Sequence, residues 1–530
     1  MLKPGKPLAF LLIAAQAVLP MGHAAQVQRH LQLDLQDLPA RPYFNYDDAS
    51  PHKLDLPEMG DPSGTLFTPM QEKEIGEAFF RSLHSETQVN SDPEVSEYIQ
   101  SIGQKLAANC DNPAQPFHFF VVDNPEINAF AGPGGYIGVN AGLIMVSEQE
   151  SELASVLGHE IAHVTQRHLY QALQASGRIQ MMSFAAMLAA MLIGSRMSGG
   201  YQNQPYCTAR NEGCQRNTNA GQGLAMAAMG AGTQAMINFT RDNEAEADNI
   251  GMQILSRSEF DPRSMPTFFE RMQQSTRFAG HGTPEFLLTH PVTVSRIADT
   301  RSRAEKFPYR QYPDGLPYQL IRAKLHVLTA YSPGDAVRYF RGILHQGTQQ
   351  QQDVSRYGLG LALVADGKAE EGKGLLKELT EEYPHQSHFI NALAKSEQDS
   401  HNYSKAMEVY AMARERFPEN RAIRLNYIEA LLVAHKAEPA RRLLEEMIQG
   451  IVEPETFEML AQAYSELGNE AESHRYLAEA YYADGQTRVA IMQMRLARRF
   501  TENNFYLNAV IDARLNKFME EEKDRKKEKQ

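Results

Sequence analysis

The spacing of apolar positions predicts helices over most of the chain, interrupted by two short strands. Asp92 before Pro93 is a helix-start signal, and residues with the spacing of one helix face follow it: Val95, Ile99, Ile102 and Leu106. Strand-like runs occupy residues 117–122 and the segment from Tyr136, and a Gly-Pro-Gly-Gly turn precedes the second run. The first half is therefore predicted to be helical around a small sheet.

The second half of the chain repeats itself. Small residues recur close to the 34-residue period of the tetratricopeptide repeat, at the start of what would be the second helix of each pair: Ala336, Ala369, Ala406, Ala440 and Ala471. A nonrepetitive helical domain is the alternative. We predict a helical solenoid over 320–515 and a charged, solvated helix end over 516–530.

The N-terminus has the order of a secretory signal. Lys3 and Lys6 precede an apolar stretch and a small-residue run, and the stretch is shorter than the ~20 residues that a membrane anchor needs. We predict a signal peptide at 1–24, a proline-rich extended lead-in at 25–69 and an exported mature protein. In an oxidising compartment Cys207 and Cys214 could form a disulfide, which would leave Cys110 unpaired.

Composition narrows the class further. The chain has 530 residues, 52 basic and 65 acidic, with a net charge of -13, so binding to nucleic acid phosphates is not expected. Its 3 cysteines cannot form a disulfide framework. The most apolar later stretch, 179–193, is predicted to be a buried or groove-covering helix; a membrane span and a peripheral membrane contact are the alternatives.

One motif points to metal chemistry. His159 and His163 stand at i and i+4, so both imidazoles project from one helix face and can bind one Zn²⁺, with Glu160 beside them as the general base. We predict that this helix spans 148–172, with Ser147 and Glu150 as its capping box.

A zinc site of this kind needs a third ligand, and an acidic segment provides a candidate. Glu244 is assigned to the metal, while Asp248, four residues later, is expected to accept the free N–H of a ligand histidine. A solvated acidic helix face is the alternative for this segment. Glu246 lies on another face and His168 is rotated away from the ligand face of a continuous helix, so both are expected to play no part in the site.

These motifs, in this order, together with residues 128–135, resemble the zinc metallopeptidase family that includes the membrane protease HtpX and the CAAX prenyl proteases. The resemblance implies one zinc per chain, bound by His159, His163 and Glu244, with Glu160 as catalytic base. It also implies that His290, in a His-Pro pair, approaches the zinc as a regulatory or fourth ligand. The Gly/Asn/Gln-rich segment with Cys207 and Cys214 has no counterpart in the family pattern.

The fold is accordingly predicted to be mostly α: a zincin-type α+β metallopeptidase domain over 70–310, followed by the α-solenoid of tetratricopeptide repeats. The segment Asn128, Ala129, Phe130 and Ala131 is predicted to be an edge strand beside the site, where an extended substrate could add as a further strand. A plain hairpin is a compatible interpretation.

The function that follows is an exported, periplasmic zinc endopeptidase of envelope quality control. By the resemblance, it would act on unfolded outer-membrane β-barrel precursors and contact their assembly machinery through the repeats. Two alternatives stand beside it: a chaperone or assembly adaptor whose metal site is latent, and an integral membrane protease.

Overall fold

The computed structural model describes residues 67–86, 89–176, 241–278, 284–310, 312, 314–448, 453–501 and 504–528. The predictions for the signal peptide, for 179–193 and for the pair Cys207 and Cys214 fall outside these residues. Cys110 is buried and its thiol is free. Within the described ranges, no helix combines the length and the apolar character that crossing a membrane requires.

Helices surround a small sheet in the first part of the chain. Numbered in chain order over the described residues, the elements are α1 (Pro69–Glu86), α2 (Pro93–Ala107), β1 (His118–Val122), β2 (Ala129–Ala131), β3 (Tyr136–Asn140), α3 (Ala141–Val146), α4 (Glu150–Thr165), α5 (His168–Ser176), α6 (Arg241–Arg257), α7 (Ser264–Phe278), α8 (Glu285–Thr289) and α9 (Val294–Ala304). The start predicted for α2 is confirmed, because the Asp92 carboxylate accepts hydrogen bonds from the N–H groups of Glu94 and Val95.

The sheet leaves β2 on an edge. Strand β3 is central, parallel to β1 and antiparallel to β2. Asn140 donates its backbone N–H to Asn128 and Gly132 donates to Tyr136, and these bonds mark the residues that face β3. Because backbone polar groups alternate in direction along a strand, Ala129 and Ala131 direct their N–H and C=O groups away from the sheet.

Helices α4 and α6 approach each other at two glycines. A Cβ built on Gly251 would lie 3.1 Å from the backbone nitrogen of His159, and one built on Gly158 would lie 3.3 Å from the Gly251 carbonyl oxygen. Larger side chains would push the helices apart. This packing brings the acidic motif of α6 to the histidines of α4.

Both predicted ends of the motif helix are wrong. The carboxylate of Glu152, rather than that of Glu150, caps the helix, accepting the N–H groups of Glu148 and Gln149, while the Ser147 hydroxyl donates to the Leu143 carbonyl. At the other end the helix does not continue to residue 172. It stops at Thr165, and a new helix, α5, begins three residues later.

Paired helices make up the second part of the chain. They are α10 (Leu316–Leu328), α11 (Pro333–Ile343), α12 (Gln349–Ala365), α13 (Ala369–Glu382), α14 (Ser387–Asp399), α15 (Tyr403–Arg416), α16 (Arg421–Val433), α17 (Ala437–Met447), α18 (Pro454–Glu466), α19 (Glu470–Ala483), α20 (Thr487–Arg499) and α21 (Phe505–Glu528). Each recurring alanine lies on the second helix of a pair, from Ala336 on α11 to Ala471 on α19. The mostly α fold with a small sheet is confirmed. The charged segment from residue 516 belongs to α21, whose Phe518 and Glu522 are buried.

Buried polar contacts join the two parts. The Glu97 carboxylate of α2 accepts the backbone N–H groups of Arg421 and Ala422 in the first turn of α16. The ammonium of Lys324 on α10 lies 2.6 Å from carboxylate oxygens of both Asp92 and Glu94. Next to these contacts a cavity of about 1040 Å³ is lined by both parts of the chain.

Candidate metal centre

Two helices and one loop bring four donor side chains to one point. His159 and His163 come from α4, Glu244 comes from the first turn of α6, and His290 follows α8. The Nε2 atoms of His159 and His163 are 2.9 Å apart, and they lie 3.5 and 3.4 Å from the two carboxylate oxygens of Glu244. His290 Nδ1 lies 3.0 Å from Glu244 Oε1 and 3.4 Å from His159 Nε2.

This donor set fits a zinc ion. Donors held at 2.0–2.1 Å around a tetrahedral centre stand roughly 3.3 Å from one another. All four residues are buried and their donor atoms lie within 4.8 Å of one another. Imidazole nitrogens with one carboxylate are a combination that Zn²⁺ prefers. His159, His163, Glu244 and His290, which the sequence singled out, are therefore the residues that could hold the ion.

Glu160 borders the cluster with one carboxylate oxygen available. Among the described residues its Oε1 accepts no hydrogen bond, although the atom is buried and lies 3.5 Å from His290 Nε2. Burial raises the pKa of the Glu160 carboxyl group, while the nearby imidazoles and the backbone of Ala131 oppose that shift. An unpaired buried carboxylate oxygen is suited to accept a proton from a reacting water.

Behind the donors, Arg296 of α9 holds two carboxylates. His159 Nδ1 lies 3.0 Å from Asp248 Oδ1, which is the contact expected from the sequence. The Arg296 guanidinium donates to both oxygens of Asp248, at 2.9 and 2.7 Å, and lies 2.7 Å from Glu244 Oε2. It also donates to the backbone carbonyl of Pro291, next to His290. Sequence reasoning missed this arginine, since a single Arg in a short helix carries no motif.

Two of the four donors have the ionisation that a cation requires, whereas Asp248 and Glu244 raise the pKa of His159 to about 9 despite its burial, so this imidazole must lose a proton to bind metal. Burial alone would raise the pKa of Glu244, but His290 and the hydrogen bonds from His159 and His163 hold it far below its ordinary value. Burial and the neighbouring His159 hold the pKa of His163 well below 6.5, which keeps that imidazole neutral. A charged carboxylate and a neutral imidazole are the forms in which these side chains bind metal.

Two residues that the sequence excluded from the site do contact it. His163 Nδ1 lies 2.8 Å from His168 Nδ1, and His168 Nε2 lies 3.2 Å from Glu246 Oε2. The expectation for His168 assumed a continuous helix, and the end of α4 at Thr165 removes that assumption. The expectation for Glu246 considered only the face toward His159, whereas its carboxylate reaches α5.

The free edge of β2 faces the same site. The backbone N–H of Ala131 is directed at Glu160. Asn128, Ala129 and Phe130 are buried, and Ala131 is partly exposed. An extended peptide could pair with that edge and pass the carboxylate of Glu160.

Fold and donor set together define a zinc metallopeptidase, and comparison with known proteins agrees. Residues 93–304 match the model of peptidase family M48. The beta-barrel assembly-enhancing protease of Escherichia coli (strain K12) is 30% identical over 464 residues, covering 87% of this chain and 90% of that protein. The chain therefore belongs to the family of beta-barrel assembly-enhancing proteases and is a zinc-dependent metalloendopeptidase.

Two further similarities are more partial. The mitochondrial metalloendopeptidase OMA1 of Danio rerio is 28% identical over 227 residues, which is 42% of this chain and 43% of that protein. A solved tetratricopeptide repeat protein from Parabacteroides merdae covers 47% of this chain and 98% of its own, with 13% identity and a TM-score of 0.26. The second similarity is too distant to support an argument.

Proposed function

We propose that this protein is an exported, periplasmic endopeptidase of envelope protein quality control. It cleaves misfolded or stalled outer-membrane β-barrel precursors and assists the assembly of others. The hydrolytic part of this proposal rests on the convergence of His159, His163 and Glu244 beside the Glu160 carboxylate. The name of the Escherichia coli relative supports the β-barrel part.

The residues divide the reaction between them. When bound, zinc supplies a Lewis acid that polarises a peptide carbonyl and makes water acidic enough to lose a proton near neutral pH. Glu160 takes that proton as the water attacks and returns it to the leaving amine. Asp248, held by Arg296, keeps the proton of His159 on Nδ1, so that Nε2 stays free to bind the metal.

The unpaired edge of β2 sets the substrate class. A peptide that pairs with this edge is held by backbone hydrogen bonds, which place little demand on its side chains. Only a chain that is unfolded, or that exposes a strand, can offer its backbone in this way. β-barrel precursors consist of strands that are unpaired before assembly, and they fit this requirement.

The repeats supply the surface for partners. Stacked helix pairs form extended concave surfaces that are suited to protein partners. The cavity of about 1040 Å³ lies between these helices and the start of α2. We assign this side of the molecule to contacts with the β-barrel assembly machinery, without nucleic acid and with only peripheral contact to a membrane.

The purified protein with Glu160→Gln tests the hydrolytic part. The substitution preserves the size of the side chain and removes the proton acceptor, so cleavage of an unfolded β-barrel precursor should fall at least 100-fold while zinc content stays at the wild-type value. Glu259→Gln, on an exposed turn residue outside the cluster, is the matched control. Undiminished cleavage by Glu160→Gln would refute the proposal.

His290 favours a second function, that of an adaptor with a latent site. Its Nδ1 lies 3.0 Å from Glu244 Oε1, where a fourth ligand would keep water away. If the site is latent, His290→Ala should raise basal casein cleavage several-fold. If the protein acts as an adaptor alone, Glu160→Gln should restore precursor assembly as well as the wild type does, whereas a deletion within the repeats should not.

A further inference from the structure

A third histidine stands directly behind one of the metal-facing imidazoles. We propose that His168, supported by Glu246, is a positioning residue that fixes the ring orientation and the tautomer of His163. The three side chains contact one another in sequence. His163 Nδ1 lies 2.8 Å from His168 Nδ1, and His168 Nε2 lies 3.2 Å from Glu246 Oε2. The imidazole of His168 is fully buried, with its ring centre 4.9 Å from that of His163.

The backbone is bent at the place where this contact requires it. Five residues along a continuous helix amount to a rotation of roughly 140° beyond a full turn, which would direct His168 away from His163. Instead α4 ends at Thr165, and Arg167 adopts a left-handed conformation with φ of 57° before α5 begins at His168. A non-glycine residue in that region is strained and persists only where its surroundings hold it.

Those surroundings are present. The guanidinium of Arg167 pairs with the carboxylate of Glu72 on α1 and lies 4.8 Å from the ring centre of Tyr170. These contacts hold the bend in place. Arg167 and its contacts with Glu72 and Tyr170 therefore place His168 against His163.

The number of protons on the two rings decides which imidazole donates in the hydrogen bond between His163 and His168. Two imidazole nitrogens at 2.8 Å need one proton between them. If His163 Nε2 is to bind a cation, its proton must be on Nδ1, which then donates to His168 Nδ1. His168 in turn carries its proton on Nε2 and donates it to Glu246. The reverse order would place a proton on the metal-facing nitrogen of His163, so the carboxylate of Glu246 selects the tautomer that binds metal.

His159, the other metal-facing imidazole of α4, is held differently from His163. His159 Nδ1 meets the buried carboxylate of Asp248 directly, and Arg296 fixes that carboxylate. On its Nδ1 side His163 contacts His168, which in turn contacts Glu246, and the side chain of Glu246 is 36% exposed. Glu246 can therefore be changed without opening a core cavity, which allows a test of its role that does not depend on folding.

The test measures the zinc affinity of the purified full-length protein by competition with a chromogenic chelator. Glu246→Ala should weaken zinc binding about 10-fold, and Glu246→Gln, which still offers a carbonyl oxygen to His168, should stay within a few-fold of wild type. His168→Leu should weaken it by about 10- to 100-fold, and His168→Gln should recover most of that loss. Asp242→Ala, which removes an exposed charge from the preceding turn of α6, should leave the affinity unchanged.

Thermal unfolding of the zinc-free protein separates positioning from stability. A positioning role predicts that Glu246→Ala changes zinc affinity while the zinc-free unfolding temperature stays at the wild-type value. Wild-type zinc affinity in both Glu246→Ala and His168→Leu would overturn this inference and leave the proposed function intact. A wild-type protein that binds no zinc would overturn both.

Discussion

The metal centre and the repeats bury their side chains in different ways. Around the site one continuous core extends from α2 to α10, a second cluster lies between α1 and the sheet, and buried polar groups contact one another across more than 100 positions of sequence. Along the described repeats the core divides into four smaller clusters, each between neighbouring helices and mostly apolar. Single substitutions should therefore act strongly and specifically at the centre, and weakly and locally in the repeats.

The largest contrast is expected from two arginines. Arg296→Met leaves the buried carboxylates of Asp248 and Glu244 without their cation, which should lower the free energy of unfolding by about 3 to 5 kcal/mol. Arg441→Met removes ion pairs to the more exposed Glu438 and Glu445 on α17 and should cost about 1 kcal/mol or less. Urea denaturation followed by circular dichroism measures both. Equal losses would contradict the comparison.

Two glycines provide a second contrast. Gly251→Val forces a side chain against the backbone of His159, so we expect a loss of up to about 3 kcal/mol together with weaker zinc binding, because α4 and α6 must separate. On α13, a Cβ added at Gly374 would have nothing within 4 Å, so Gly374→Ala should stabilise the protein by about 0.5 to 1 kcal/mol. A Gly251→Val protein with wild-type stability and zinc affinity would show that the close helix contact is dispensable.

A smaller, pH-dependent effect is expected where the two parts meet. Burial, with help from Glu455, raises the pKa of Glu453 to about 7, so the folded protein binds this proton more tightly than the unfolded chain does. The stability contributed by that proton is present at pH 4.5 and is lost as pH rises toward 7. Glu453→Gln should therefore gain roughly 1 to 2 kcal/mol relative to wild type between pH 5 and pH 8.

The control for this effect is Glu470→Gln, which replaces an exposed glutamate at the start of α19. Urea denaturation midpoints at several pH values measure both variants. A constant difference for Glu453→Gln would mean that its carboxyl group titrates alike in the folded and unfolded chain.

How far the sequence predicts this site depends on how local each signal is. His159, Glu160 and His163 stand at fixed spacing on one helix, and Glu244 was assigned because the zinc site needs a third ligand, so these positions follow from pattern and coordination chemistry. His290 was identified through family resemblance rather than spacing. The structure brings the four donor residues together, and substitution of each residue tests its role.

What the sequence did not reveal depends on tertiary contacts. The bend at Arg167 is stabilised by Glu72, nearly 100 residues earlier, and without it the helical period places His168 on the wrong face. Arg296 has no periodic or motif signal of its own. The bonds of Glu97 and Lys324 to partners in the other part of the chain likewise depend on how distant segments pack.

The central claim is that one zinc is held jointly by α4 and α6. Elemental analysis of protein dialysed against a weak chelator tests it most directly, using the wild type, Glu244→Gln and Glu160→Gln. We predict one zinc per chain in the wild type and in Glu160→Gln, and far less than one in Glu244→Gln, because a neutral amide is a poor zinc ligand. A wild type without zinc, or a Glu244→Gln protein that retains one zinc per chain, would contradict the account.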